Sequence, residues 1–114
     1  MNKRQRKIAL RELANAMEAG WNKVPYMERT FFYYGGTPTN PSRCCARGHA
    51  GLGKNGDAHR GTGFEFPILE EQQVQMPDDA TQTFGLNEAI DDLVAFYGWY
   101  TMDVVRWIRS HVDA

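Results

Sequence analysis

The sequence lacks the features that would place it in a membrane or outside the cell. Among its 114 residues, no apolar run approaches the roughly 18 residues that span a bilayer. Its only two cysteines, Cys44 and Cys45, are adjacent and cannot join distant segments as a disulfide framework does. The first residues, MNKRQRKIAL, are basic without the apolar core of a signal peptide. We therefore expect a single soluble domain in the cytoplasm, with no membrane partner.

Basic residues are missing from a long part of the chain. Neither Lys nor Arg occurs from Phe64 to Val105. Residues 1–63 hold 11 Lys and Arg against 4 acidic residues, and residues 64–114 hold 2 against 10. Two interpretations remain open: folding mixes the two signs on one surface, or a positive face stays available for an anionic partner such as a nucleotide.

Helical periodicity marks three longer segments. The pattern predicts a helix over about residues 4–19 with Gly20 as its left-handed cap. A second helix is expected after Asn87 as N-cap and ends at Gly98-Trp99, and a third covers about residues 102–112 with Thr101 as N-cap. The aromatic run YMERTFFYY at 26–34 and FEFPIL at 64–69 favour strands. Turn residues are concentrated at 35–42 and at 77–79.

These elements predict an α+β domain in which three longer helices and one short helix pack around a small two- or three-stranded antiparallel sheet, with a long glycine-rich basic loop. The large apolar residues on the periodic faces and in the aromatic segments are expected to form its core. They are Leu10, Leu13, Met17, Trp21, Phe31, Ile90, Leu93, Val94, Tyr97, Trp99, Val105 and Ile108.

Residues 43–63, RCCARGHAGLGKNGDAHRGTG, have the composition of a binding site. They combine six glycines, both cysteines, two histidines and four Lys or Arg with one acid, Asp57. The pattern predicts a short helix from Arg43 to about Leu52, with Ser42 as its N-cap, followed by the glycine-rich loop.

This segment nearly matches a phosphate-binding loop. Gly48, Gly53 and Lys54 fit G-x-x-x-x-G-K, but Asn55 stands where the motif needs a hydroxyl for magnesium, and no apolar strand precedes it. We therefore expect an anionic ligand such as a nucleotide to be held by glycine amides and cations without hydrolysis. The candidate ligand-binding residues are Arg43, Arg47, His49, Gly51, Gly53, Lys54, His59 and Arg60.

Other chemistries have weaker support in the sequence. Cys45 and His49 are four residues apart and His59 could join them, but a fourth zinc ligand and a group to orient a cysteine nucleophile are lacking. We therefore predict a non-catalytic protein without metal or cofactor. The alternative is a protein-interaction or inhibitor module, with a host protein as partner, that acts through the acidic second half or through exposed aromatic residues.

The sequence favours nucleic acid less than these partners. The basic start of the chain, the aromatic run and a possible helix-turn-helix near the end would support it. However, Glu88, Asp91, Asp92 and Asp103 would face or flank phosphates in that helix pair.

Three short segments of the chain also resemble a known group of proteins. The leading helix with Gly20-Trp21, the segment Cys45-Ala46-x-Gly48-x-Ala50 and the closing VVRWI resemble a group of small uncharacterised phage and actinobacterial proteins. His49 and the long glycine loop depart from that pattern. The resemblance implies a small α+β accessory protein acting in a bacterial or infected host cell, and it implies no activity.

Overall fold

In a computed structural model, which describes residues 1–112, the chain forms the expected α+β fold with five α-helices and two small antiparallel sheets. In chain order the elements are α1 (Lys3–Lys23), β1 (Tyr33–Thr37), β2 (Asn40–Cys44), α2 (Ala46–Asn55), a 3₁₀ turn (Ala58–Arg60), α3 (Ile68–Glu71), β3 (Gln73–Met76), β4 (Asp79–Gly85), α4 (Leu86–Ala95) and α5 (Thr101–Trp107). A π-helical turn, Ile108–Val112, continues α5.

Each sheet is a hairpin, and the strands overlap the predicted ones only at Tyr33 and Tyr34, where β1 begins at the end of the predicted strand at 26–34. β1 pairs with β2, with Tyr33 opposite Cys44, and β3 pairs with β4, with Val74 opposite Phe84. The predicted turns at 35–42 and 77–79 are thus the inner parts of two hairpins. The predicted strand at 64–69 is wrong, because its end enters α3. One sheet of two or three strands is replaced by two separate ribbons.

α1 is longer than predicted because Gly20 does not end it. The helix runs through Gly20 to Lys23, and Gly20 does not have the positive φ of a left-handed cap. Instead, a side chain at position 20 would overlap the backbone carbonyl of His49 in α2. Gly20 therefore allows two helix backbones to touch.

α2 begins and ends later than predicted. Cys45, not Ser42, is its N-cap, and the Cys45 sulfur accepts from the Gly48 N–H at 3.3 Å. Residues 43 and 44 belong to β2, and the helix continues to Asn55, where Gly56 closes it with φ of 69°. The first part of the predicted glycine-rich loop is therefore helical.

Glycines let other backbones approach α2 on three sides. A side chain at Gly53 would overlap the Ala16 carbonyl of α1, and one at Gly48 would overlap the Phe32 carbonyl. A Cβ on Gly51 would lie 2.5 Å from the Gly61 nitrogen. Since real Cβ atoms do not approach so closely, each glycine is required by a distant segment and not by a local turn.

The last two helices start one or two residues before their predicted positions. Gly85 precedes α4, while Asn87 lies inside it and accepts from the Glu88 N–H. α5 begins at Thr101 and is capped by the Asp103 carboxylate, which accepts from the Tyr100 N–H at 2.8 Å. α4 ends at Ala95, three residues before the predicted Gly98-Trp99 ending. Gly98 still has φ of 73°, and the Trp99 N–H returns to the Leu93 carbonyl.

The core lies where α1, α2, α4 and α5 meet. Leu13, Met17, Ile90, Leu93 and Ile108 are fully buried, as expected. Further buried members that were not expected are Phe66, Ile68, Leu69, Leu86 and Trp107. The predictions for Phe31 and Tyr97 are wrong, since these side chains are 60% and 44% exposed.

Gly53→Ala tests the contact between α1 and α2. Alanine favours a helix over glycine by about 1 kcal/mol, so propensity alone predicts stabilisation. We expect the opposite, a loss of about 2 kcal/mol or more in the free energy of unfolding, because the added methyl meets the Ala16 carbonyl. Urea denaturation measures the change.

Gly63→Ala is the control. The three atoms nearest to its added methyl all belong to the movable Glu70 side chain, so we expect a change of less than about 1 kcal/mol. Equal effects of the two substitutions would contradict a specific backbone contact at Gly53.

Candidate functional site

The main candidate site is a cleft of about 740 Å³ between the segment before β1, the start of α2 and α4. Residues 29–33 form one wall and residues 91–96, except 93, form the other. Residues 45–47 and His59 complete the lining. Its volume falls in the range of small-molecule and peptide pockets.

Arg29 attaches the first wall to the second. Its Nη1 donates to the carbonyl oxygen of Val94, in the last turn of α4, and to that of Trp99, after the helix has ended. Its guanidinium lies 5.1 Å from the centre of the Tyr100 ring. Cations are favoured at the carbonyl end of a helix. Arg29 is therefore already used within the chain.

Arg47 joins α2 to α4 across the floor of the cleft. Its Nε and Nη2 donate to the two carboxylate oxygens of Asp91, each at 2.9 Å, and its guanidinium lies over the Phe32 ring at 5.0 Å. Such a bidentate pair fixes the orientation of both side chains. Asp91 therefore neutralises one of the cations of the predicted anion site.

Two phenylalanines in the lining are largely exposed. Phe31 is 60% exposed and Phe96 is 82% exposed, although Phe32 and Val94 beside them are partly or fully buried. The cleft also contains Asp92 and the exposed His59, whose ring meets the edge of Tyr33 at 5.0 Å. With two arginines and two aspartates, the formal side-chain charge is balanced, and exposed aromatic surface is the most prominent feature.

The structure separates the eight predicted ligand-binding residues into four places. Arg47 and His59 line the cleft. Lys54 and Arg60 meet at Glu65: Lys54 donates to its backbone carbonyl at 3.0 Å, and Arg60 pairs with its carboxylate at 2.9 Å. Arg43 lies on β2 with its guanidinium over the Tyr34 ring.

The other three predicted residues, His49, Gly51 and Gly53, contact neighbouring segments of the fold. His49 and Gly51 are buried, and the two glycines face the backbones of other segments. The eight residues thus do not form one concave surface, and Arg43, Lys54 and Arg60 lie outside the cleft lining.

His49 links three parts of the core through both ring nitrogens. Nε2 is 2.7 Å from the Val24 carbonyl, which can only accept, so Nε2 carries the hydrogen. Nδ1, 2.6 Å from the Thr101 hydroxyl, then accepts from it. Burial lowers the pKa of His49 from 6.5 to about 4, against the opposing effect of the Val24 hydrogen bond. Its nitrogens are engaged and its ring is neutral.

The cysteines have the properties of unreactive thiols. Burial raises the pKa of Cys44 to about 12 and that of Cys45 to about 11. The thiolate, not the thiol, is the nucleophile and the metal ligand, so this environment disfavours both roles at neutral pH. Among the side chains that the structure describes, no three of His, Cys, Asp or Glu are grouped as metal ligands would be.

No helix within residues 1–112 is both long and apolar enough to span a membrane. The sequence matches no protein-family model, and comparisons with curated proteins and with solved structures find nothing similar. The resemblance to phage and actinobacterial proteins therefore stays a prediction.

Sequence reasoning missed the residues that define the cleft. It placed Phe31 in the core, named Asp91 among the acids that disfavour nucleic acid, and assigned nothing to Arg29 or Phe96. A signal for Phe96 was present, because it falls outside the apolar stripe of Ile90, Leu93 and Val94. No local signal joins Arg47 to Asp91, which is 44 residues away.

The lowered pKa of His49 predicts acid destabilisation. The unfolded chain binds a proton with the ordinary pKa of 6.5 and the folded chain only near 4. The stability due to the neutral ring is fully present above pH 6.5 and declines as pH falls from there towards 4. We expect this group to lower the free energy of unfolding by about 2 kcal/mol between about pH 7 and about pH 5.

His49→Gln should lose this part of the pH dependence, because glutamine can donate and accept without titrating. His59→Gln, at an exposed ring, should keep it. Urea denaturation at both pH values measures the differences. A slope shared by wild type and His49→Gln would contradict the assignment.

Proposed function

We propose that this chain is a non-catalytic binding module that takes an apolar segment of a partner protein into the cleft beside Phe31 and Phe96. The observation that carries the proposal is the exposure of these two side chains on the cleft, where they are 60% and 82% accessible. Large aromatic side chains that are exposed on a protein surface are common anchors of protein interfaces.

The energetics favour an apolar contact over an ionic one. Burying a phenylalanine side chain contributes about 2 kcal/mol, whereas an exposed ion pair contributes up to about 1 kcal/mol. Both arginines of the cleft already have partners, Arg29 at carbonyl oxygens and Arg47 at Asp91. An incoming carboxylate or phosphate would compete with those contacts, but an apolar side chain would not.

Selection from a displayed peptide library tests this function. We expect wild type to enrich peptides with at least one large apolar residue. Phe96→Ser or Phe31→Ser should weaken their binding by about 30-fold each, which corresponds to about 2 kcal/mol of lost apolar burial. Fluorescence anisotropy with the selected peptides measures the dissociation constants.

Phe64→Ser is the matched control, because Phe64 is 90% exposed but does not line the cleft. It should bind the selected peptides as wild type does. Failure to enrich any peptide, or binding that is indifferent to both cleft substitutions, would sink the proposal.

A second candidate keeps the anionic ligand and moves it into the same cleft. Nε and Nη2 of Arg47 bond to Asp91, but its Nη1 has no hydrogen-bond partner among the described residues. His59 lines the same wall and is exposed. A phosphate could accept from both, with a nucleotide base against Phe31 or Phe96.

Calorimetry with mono-, di- and cyclic nucleotides tests this alternative. If the ligand lies in the cleft, His59→Gln and Arg47→Gln should weaken binding at least tenfold, and Lys54→Gln should leave it unchanged because Lys54 contacts Glu65 elsewhere. Loss of binding in Lys54→Gln alone would instead place the anion near Glu65. If no nucleotide gives a heat of binding, nucleotide binding in this cleft is rejected.

We expect either function to be exercised in the cytoplasm, where the free thiols Cys44 and Cys45 would stay reduced. A small accessory protein of phage type, directed at a host protein, is consistent with a binding module of this size.

A further inference from the structure

The outer face of α1 carries cations that neither proposed ligand uses. Lys3, Lys7 and Arg11 follow at intervals of four residues, and Arg4 and Ile8 form a second row beside them. All five are exposed, and together they line a shallow groove of about 550 Å³. At four residues per step, the first three cations are about 6 Å apart along the helix.

These cations have no ionic partner inside the protein. In the part of the chain that the structure describes, Lys3, Arg4, Lys7 and Arg11 form no ion pair, unlike Arg47 and Arg60. The acids near the edges of the face are Glu12, beside Arg11 in sequence, and Glu71, which is 3.8 Å from the Met1 nitrogen. The face therefore keeps a positive excess.

The cations are held on a fixed helix. Asn2 and Gln5 form a reciprocal capping box, with hydrogen bonds of 2.8 and 2.9 Å, which secures the first turn. Farther along, Leu10, Leu13 and Met17 anchor the opposite face in the core. Because that apolar face is buried, α1 cannot lie in a membrane surface as an amphipathic helix would.

We propose that α1 binds duplex DNA by placing this basic face in the major groove. An α-helix with its side chains is about 10–12 Å wide and the major groove about 12 Å, so the two rows can reach phosphates while Ile8 faces base edges. The acids at 88, 91, 92 and 103, which disfavoured nucleic acid at the sequence level, do not line this groove. The face is separate from the aromatic cleft, so the two proposals can fail independently.

Salt dependence provides the first test. Anisotropy of a labelled duplex of about 20 base pairs should show binding at about 50 mM salt that weakens roughly 50-fold at about 150 mM, as neutralisation of about four phosphates predicts. The variant Lys3→Gln/Lys7→Gln/Arg11→Gln should bind at least tenfold more weakly at low salt, with a shallower salt slope. Circular dichroism and urea denaturation confirm that the variant is folded.

The charge-matched control is Arg43→Gln/Lys54→Gln/Arg60→Gln, which removes three cations outside the α1 groove. It should keep most of the affinity. Loss equal to that of the α1 variant would overturn the proposal, because net charge and not this face would then govern binding.

Competitors identify the polyanion. Unlabelled DNA duplex should displace the probe, whereas an RNA duplex, whose major groove is too narrow for a helix, should compete at least tenfold more weakly. Equal competition by RNA or by polyglutamate would overturn the DNA assignment, the latter in favour of an acidic protein partner. No binding to the duplex at low salt would also overturn it.

Discussion

The fold depends on the contact of α2 with three other backbones. Gly48, Gly51 and Gly53 let the Phe32 carbonyl, the segment at 57–61 and α1 approach the same short helix. Glycine in a helix destabilises it by about 1 kcal/mol per residue, so α2 would be marginal in isolation. Its stability must therefore come from the segments around it, and those segments in turn are positioned by α2.

His49 completes this arrangement from the inside. Its ring bonds to Val24, just after α1, and to Thr101, the first residue of α5, while its own backbone touches Gly20. A neutral imidazole with both nitrogens engaged satisfies polar groups that would otherwise be buried without partners. The residue that suggested a ligand or metal in the sequence thus connects the helices.

The sequence predictions were accurate where the interactions involve residues close in sequence, and inaccurate where they involve distant residues. The longer helices could be predicted because apolar residues at helical spacing are a local signal. The first hairpin could not, since Tyr33–Thr37 and Asn40–Cys44 are short and mostly exposed and so lack the apolar alternation of a half-buried strand. The second has a local signal that sequence reasoning missed, because buried Val74 and Met76 alternate with exposed glutamines in β3. Gly20 resembled a helix end because the reason for a glycine there, the His49 carbonyl, is distant in sequence.

The spatial arrangement of the candidate site residues could not be predicted for the same reason. The density of glycines and cations in residues 43–63 indicated a phosphate-binding loop. However, the N–H groups of glycines inside a helix already donate hydrogen bonds to carbonyl groups of the same helix. Arg47 pairs with Asp91, far outside this segment, and Arg60 pairs with Glu65, just beyond its end. Composition could identify where charges and small residues gather, but not which other segment would use them.

The cleft depends on the packing around α2. Close approach at Gly48 brings Phe32 against α2, where its carbonyl accepts from the Cys45 N–H at 3.3 Å and its ring lies under Arg47. Phe31, the preceding residue, is exposed and lines the same cleft. Because Phe32 both lines the cleft and contacts α2, mutations that loosen α2 should also change the cleft.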